Sequence, residues 1–167
     1  MKIKFLKYKE NAVIPFKKHS DDFCYDLVAV SEEEIAPNVW KYGFGFGLQI
    51  ERGMETITKL LHPYSAFPEF GLDFNRSPLS LSIDIRPRSS VWQTGMVLSN
   101  CEGTVDEGYT NEISAVFYHV NKDLPRYKVG DRIAQMKVGF TFPCDFVEVD
   151  KFNETERGMN GYGSTGK

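Results

Sequence analysis

Cysteine is scarce in this chain. Its 167 residues hold three, Cys24, Cys101 and Cys144, at wide spacing and with no CxxC pair. That argues against a structural zinc site and against a disulfide framework, and it predicts a reducing compartment. Positive charge is not in surplus either. Lys and Arg number 20 against 23 Asp and Glu, a net charge of −3, whereas a protein that grips nucleic-acid backbones ordinarily carries a basic excess. No apolar run approaches the roughly 18 residues of a membrane span. The first residues, MKIKFLKYKE, alternate apolar and basic side chains and lack the continuous apolar stretch of a secretory signal. The expectation is a cytoplasmic protein with neither nucleic-acid nor membrane partner. Helical periodicity is sparse as well: residues 55–61 (ETITKLL) suit about two turns and residues 90–94 one.

What is present is β pattern. Hydrophobic residues make up 41% of the chain, 14% are aromatic, and 14 Gly and 8 Pro punctuate it; aromatics and frequent turns together favour strands. Ile3, Phe5 and Tyr8 suit a short N-terminal strand. The clearest alternation is Leu79-Ser80-Leu81-Ser82-Ile83-Asp84-Ile85-Arg86, a half-buried strand. Residues 111–121 (NEISAVFYHVN), 133–140 and 146–149 read as further strands. Turn signals stand at Ala36-Pro37-Asn38, Glu107-Gly108, Val129-Gly130-Asp131 and Phe142-Pro143. Many short strands with turns between them predict an all-β jelly roll or distorted barrel. Residues 1–156 read as one such domain. Residues 53–78, broken by Pro63, Pro68, Gly71 and Pro78, read as an insertion or long loop. Residues 157–167 read as a mobile Gly-rich C-terminal arm.

Five segments carry polar groups in patterns that suit chemistry. Cys24-Tyr25-Asp26-Leu27 places a carboxylate in a strand context. Arg86-Pro87-Arg88-Ser89-Ser90 ends a strand with guanidinium and hydroxyl groups at a helix start, an arrangement that suits an oxyanion such as phosphate. Gly103-Thr104-Val105-Asp106-Glu107-Gly108-Tyr109 is a hairpin-like turn with an aspartate at its lip, placed for general-base work on a water. Gly130-Asp131-Arg132-Ile133-Ala134-Gln135 is a turn into a strand, with an ordinary reading as an Asp131–Arg132 surface pair. Arg157 to Gly166 (RGMNGYGSTG) combines glycines, hydroxyls, an arginine and an aromatic, which suits phosphates and a stacked base. No GK[ST] follows, so it is not a Walker loop.

Together and in this order, the strings YDL at 25–27, PRSS at 87–90, NCEGTVDEGYTNEI at 100–113, GDRIAQ at 130–135 and RGMNGYGSTG at 157–166 resemble the homotrimeric dUTPase family, as a phage or bacterial member. The resemblance implies a jelly-roll subunit, three of which share composite active sites, and hydrolysis of dUTP to dUMP and pyrophosphate with Mg²⁺. By that resemblance Asp106 looks like the water-activating base and Gln135 like the glutamine near the α-phosphate and water. Tyr109 looks like the ring under the deoxyribose. Asn100 and the backbone from Gly103 through Val105 to Tyr109 look like the uracil-reading hairpin. Arg88, Ser89 and Ser90 look like phosphate contacts, and Asp26 like the aspartate that bonds metal-bound waters. Arg157, Ser164 and Thr165 look like β- and γ-phosphate contacts on a closing arm, and Tyr162 and Gly163 stand where that arm covers the uracil.

The chain departs from the family pattern in places. Ser90 replaces the usual glycine of the second motif, which requires a permissive backbone there. Thr110-Asn111 replaces the usual Arg-Gly of the third. The 53–78 stretch is extra, and its apolar pieces, Leu60-Leu61 and 67–74, suit packing on the trimer surface or beside the site. Two alternative readings are a dUTPase-like regulatory protein that binds a repressor or other protein, suggested by the insertion, and a dCTP deaminase-type enzyme. Asp106 and Tyr109 favour the hydrolase over the deaminase, and the insertion is compatible with enzymatic activity.

Overall fold

The computed structural model describes residues 2–51, 80–100, 102–141, 146–156 and 158. Among them are ten strands: β1 Lys2–Lys7, β2 Tyr25–Val28, β3 Ser31–Ala36, β4 Val39–Gly43, β5 Phe46–Glu51, β6 Ser80–Pro87, β7 Met96–Leu98, β8 Gly103–Val105, β9 Ser114–His119 and β10 Arg132–Thr141. Two four-stranded sheets, ordered β2-β10-β6-β8 and β3-β4-β9-β7, are joined by a two-stranded ribbon of β1 and β5. Every pairing is antiparallel. This is the all-β jelly-roll architecture that the alternating pattern predicts.

The pattern works through period two. On β6, Leu81, Ile83 and Ile85 are buried while Ser82, Asp84 and Arg86 are half-buried on the other face. Met96 and Leu98 of β7, Ala115 and Phe117 of β9, and Ile133, Ala134 and Met136 of β10 join the same core. At its centre Tyr42, Phe117 and Tyr127 meet edge to face, with ring centroids 5.5–6.4 Å apart, a geometry worth about 0.5–1.5 kcal/mol per pair beyond area burial. The Tyr42 hydroxyl donates to the Tyr127 carbonyl at 2.9 Å. Beside them Arg126 stacks on Trp40, 3.6 Å from the ring centroid, and donates to Glu32 at 2.8 Å. That hydrogen bond holds the Glu32 carboxyl below its ordinary range.

The structure corrects several expectations. Residues 146–149 form no strand. Phe146 is 98% exposed, and among the described residues no strand pairs with this segment; alternation without a partner's backbone does not make a sheet. Tyr8 lies just past the end of β1. The helical turn is a 3₁₀ turn over Ser89–Gln93. In 111–121, only Ser114–His119 is strand; Ile113 instead exchanges hydrogen bonds with the backbone flanking and opening β5, at Phe44 and Phe46. Cys24 is a free, half-buried thiol. The 55–61 turns, the 53–78 insertion, Cys101, Cys144 and most of the C-terminal arm lie outside the described residues.

Candidate active site

Two cavities gather the polar segments. The first, about 180 Å³, has an apolar floor of Ile85, Leu98 and Ile113 and a polar lip of Asn100, Asp106 and Tyr109. It exists because β8 pairs with β6, Gly103 opposite Ile85 and Val105 opposite Ile83. The chain then turns at once, with the Tyr109 N–H on the Asp106 carbonyl at 2.9 Å. Asp106 is exposed at the lip. The Tyr109 hydroxyl donates to the Glu112 carbonyl at 3.0 Å, which fixes the ring over the turn. A Cβ on Gly103 would come within 2.8 Å of the Asn100 amide nitrogen, so glycine lets that side chain lie against the hairpin.

The hairpin is held from behind by groups that sequence reasoning missed. The Tyr8 hydroxyl donates to the Thr110 carbonyl. The Gly45 N–H donates to the Glu112 carboxylate at 2.8 Å. Gly47 of β5 passes so close that a Cβ there would lie 2.6 Å from the Thr110 oxygen. The Thr110-Asn111 backbone therefore seats the hairpin against β5.

The second cavity, about 420 Å³, lies among Lys18, His19, Asp26, Arg88, Ser89, Arg132 and Gln135. Strand register builds it: Gln135 of β10 stands opposite Asp26 of β2 on one side and Arg86 of β6 on the other. Arg88 and Ser89 follow directly where Pro87 ends β6. A bridge between Phe16 and Asp26 brings the Lys18–His19 turn alongside, and that turn is closed by the His19 N–H on the Asp22 carboxylate at 2.9 Å. Asp26 accepts from Arg88 Nε at 2.8 Å on Oδ1 and from Arg132 Nη1 at 2.8 Å on Oδ2. Arg88 Nη1 reaches Ser90 Oγ at 3.5 Å. Ser90 needs no left-handed backbone, since Asn38, at φ 62°, is the one non-glycine with positive φ among the described residues. The Gln135 amide nitrogen donates to the Pro87 carbonyl at 2.9 Å.

The expected Asp131–Arg132 pair does not form. Asp131 instead accepts from the Lys128 N–H at 2.7 Å, and Arg132 turns to Asp26. Five sequence-predicted residues (Asn100, Gly103, Val105, Asp106, Tyr109) thus meet in the first cavity. Asp26, Arg88, Ser89 and Gln135 meet in the second, with Ser90 bonded to Arg88. Among the described residues, no cavity gathers both sets. Arg157, Tyr162, Gly163, Ser164 and Thr165 lie outside the described residues. Among the described residues no three His, Cys, Asp or Glu side chains gather as a metal site, and no helix is long and apolar enough to cross a membrane.

Comparison with known proteins fits this geometry. Residues 69–166 match the dUTPase family model. The chain is 33% identical to the deoxyuridine 5'-triphosphate nucleotidohydrolase of Clostridium novyi, with 99% of each covered. It is 34% identical to that of Helicobacter pylori strain P12 over 99% of this chain and 97% of the relative. Among solved structures, the dUTPase of Staphylococcus bacteriophage 80alpha with dUPNHPP superposes with a TM-score of 0.71 over 99% of both chains, at 17% identity. The dUTPase from phage phi11 of S. aureus, a structure that visualises a species-specific insert, does so with a TM-score of 0.63 at 15% identity, over 93% of this chain and all of that one.

Proposed function

The chain belongs to the dUTPase family, and from that premise we propose that it hydrolyses dUTP to dUMP and pyrophosphate, with Asp106 activating the attacking water. The observation that carries the reading is the division of labour between the two cavities. One is small, apolar-floored and rimmed by Asn100, Asp106 and Tyr109, which suits a base and a deoxyribose. The other gathers the basic side chains of Lys18, Arg88 and Arg132 with the carboxylates of Asp22 and Asp26, which suits a phosphate chain. A nucleoside triphosphate is the ligand that needs both.

The two sets sit in separate cavities of one chain, so a homotrimer whose copies face each other's cavities would complete each site. In that assembly Asn100 and the Gly103–Val105 backbone read the uracil edge. A close-fitting hairpin rejects thymine through its extra methyl, and cytosine through its reversed donor and acceptor. The Tyr109 ring packs under the sugar, where a ribose 2′-hydroxyl would clash. Arg88, Ser89 and Ser90 donate to the phosphates. Asp106 takes a proton from water as its oxygen bonds the α-phosphorus, and the bond to the bridging oxygen breaks to release pyrophosphate. The amide nitrogen of Gln135 already donates to the Pro87 carbonyl. One N–H of that amide is thereby used; the second N–H can still donate to a phosphate oxygen, and the carbonyl oxygen can accept from a water. Arg157, Ser164 and Thr165 would grip the outer phosphates, and Tyr162 and Gly163 would cover the base, when the arm closes.

The donor set suits a Mg²⁺ that arrives with its substrate. Such an ion keeps several waters and takes one or two carboxylates plus phosphate oxygens. Asp26 lines the phosphate cavity, and after its two guanidinium partners it keeps acceptor capacity on Oδ1 for a water. When bound, the ion neutralises charge on the phosphate oxygens.

The test is pyrophosphate release from dUTP, with dCTP, dTTP and UTP as controls. The native chain is expected to turn over dUTP selectively. Asp106→Asn is expected to lower turnover about 10²–10⁴-fold with an unchanged melting profile, because Asp106 is exposed. No release by the native chain, or full release by the variant, would overturn the reading.

A further inference from the structure

We infer that Arg132 is a positioning residue for the phosphate end of the site, acting through Asp26 on Arg88; the inference rests on the dUTPase reading above. The first observation is backbone phase. Residues 132 and 135 are three apart on one strand, so regular alternation would send them to opposite faces. The β2–β10 register shifts between Arg132 and Ala134. As a result Ile133 and Ala134 are both fully buried, while Arg132 and Gln135 both stay half-exposed and line the same cavity. A β-bulge that re-aims a side chain into a cleft is a built feature, not an accident of a strand end.

The second observation is how the carboxylate is shared. The Asp26 side chain is only 13% exposed, and an arginine bonds each of its oxygens. Arg88 lies side-on, Nε to Oδ1 at 2.8 Å and Nη2 to Oδ2 at 3.5 Å, and Arg132 Nη1 bonds Oδ2 at 2.8 Å. An Asp26–Arg88 pair alone would be neutral and would offer a phosphate no net attraction. It would also leave Oδ2 with only the long 3.5 Å contact. Arg132 changes both terms. It pins Oδ2, which fixes the plane of the carboxylate and hence of the Arg88 fork. It also turns the cluster into two cations on one anion, with one positive charge left for the ligand. The two arginines come from different strand ends, so the arrangement couples the 86–90 segment to the 130–135 segment by a route that bypasses the nucleotide.

The experiment is a double-mutant cycle in the full-length protein. Arg132→Met, Asp26→Asn and the double variant are compared for kcat and KM on dUTP, and for binding of inorganic pyrophosphate by calorimetry. Arg132→Lys serves as the conservative variant. Arg132→Met is expected to lower kcat/KM about 10- to 100-fold, the scale of a lost charged hydrogen bond, and to weaken pyrophosphate binding. Arg132→Lys restores the charge and so should recover KM more than kcat, because an ammonium does not reproduce the fork. With Asp26→Asn already present, Arg132→Met should cost several-fold less than it does alone. Full additivity in the cycle, or Arg132→Met within about twofold of the native kcat/KM, would overturn the inference. If Arg132→Met does not fold, Arg132→Lys with both kcat and KM within about twofold of the native values would overturn it instead. Failure of the broader reading is distinguishable: the native chain then releases no pyrophosphate from dUTP, and the pyrophosphate-binding arm of the cycle still decides whether Arg132 acts through Asp26.

Discussion

Gly47→Ala is the substitution that best separates the hairpin's support from its chemistry. Gly47 is paired with Leu6 across the β1–β5 ribbon, so β5 cannot retreat without disturbing β1. A methyl there would lie 2.6 Å from the Thr110 oxygen, 2.8 Å from Tyr8 Cε2 and 3.1 Å from the Asn111 oxygen. Ordinary contact begins near 3.4 Å, so the Thr110 carbonyl must withdraw by about 0.8 Å. Two of the three obstacles are backbone and cannot rotate away. Overpacking of this kind costs about 1–3 kcal/mol, or about 2–12 °C in melting temperature for a chain of this size. Withdrawing Thr110 also moves Tyr109 and Asp106, its near neighbours in the turn, and a displacement approaching 1 Å at a reacting group can cost about 10²-fold in rate. The assay is a melt at fixed protein concentration together with kcat/KM on dUTP. Gly108→Ala in the same hairpin is the steric control: its Cβ would meet nothing within 4 Å, so stability should change by no more than about 1 kcal/mol. If Gly47→Ala melts and turns over like the native chain, the seat of the hairpin against β5 is not as argued.

Two further predictions follow from the structure and the sequence. Glu32 is held below its ordinary pKa of 4.5 by Arg126, so the pair's contribution to stability is present above about pH 4.5 and fades as pH falls through the lowered value. Glu32→Gln should therefore melt lower than the native chain at pH 7, with the gap narrowing as pH falls through the lowered value; a gap that stays constant all the way down to acid unfolding would refute it. Removing residues 157–167 should leave the melting profile unchanged and reduce dUTP turnover at least about tenfold, and a large loss of stability would mean that the segment supports the fold instead.

The strands that were legible in the sequence are those with one face on the core and one on polar surroundings, β6 above all. β3 was not: Ser31–Ala36 reads SEEEIA, and its glutamates look like a solvated run, yet as the outer strand of its sheet it tolerates them because only one edge is paired. β5 was hidden by its glycines. The run Tyr42-Gly43-Phe44-Gly45-Phe46-Gly47 reads as turn-rich, while in the fold the phenylalanines are fully buried and Gly47 is present for close approach. The candidate site is legible where residues that meet in one cavity are also close in sequence, at Arg88–Ser89 and along the 100–109 hairpin. Adjacency in sequence offers Asp131 as the ordinary partner of Arg132. Its actual partner, Asp26, is 106 residues away, and only the register of β2 on β10 and the bulge beside Arg132 bring them together.

That pairing has a consequence for the newborn chain. Among the described residues the one strand that pairs with β2 is β10, through Arg132–Met136, so the Tyr25–Val28 segment must wait until residues through Met136 have been made. The N-terminal half cannot mature alone and then be joined by the rest. A chain cut short before Arg132 would leave β2 without its β10 pairing and Asp26 without Arg132. With so many contacts between distant segments, folding after release is expected to be slow compared with that of a helical protein of the same length.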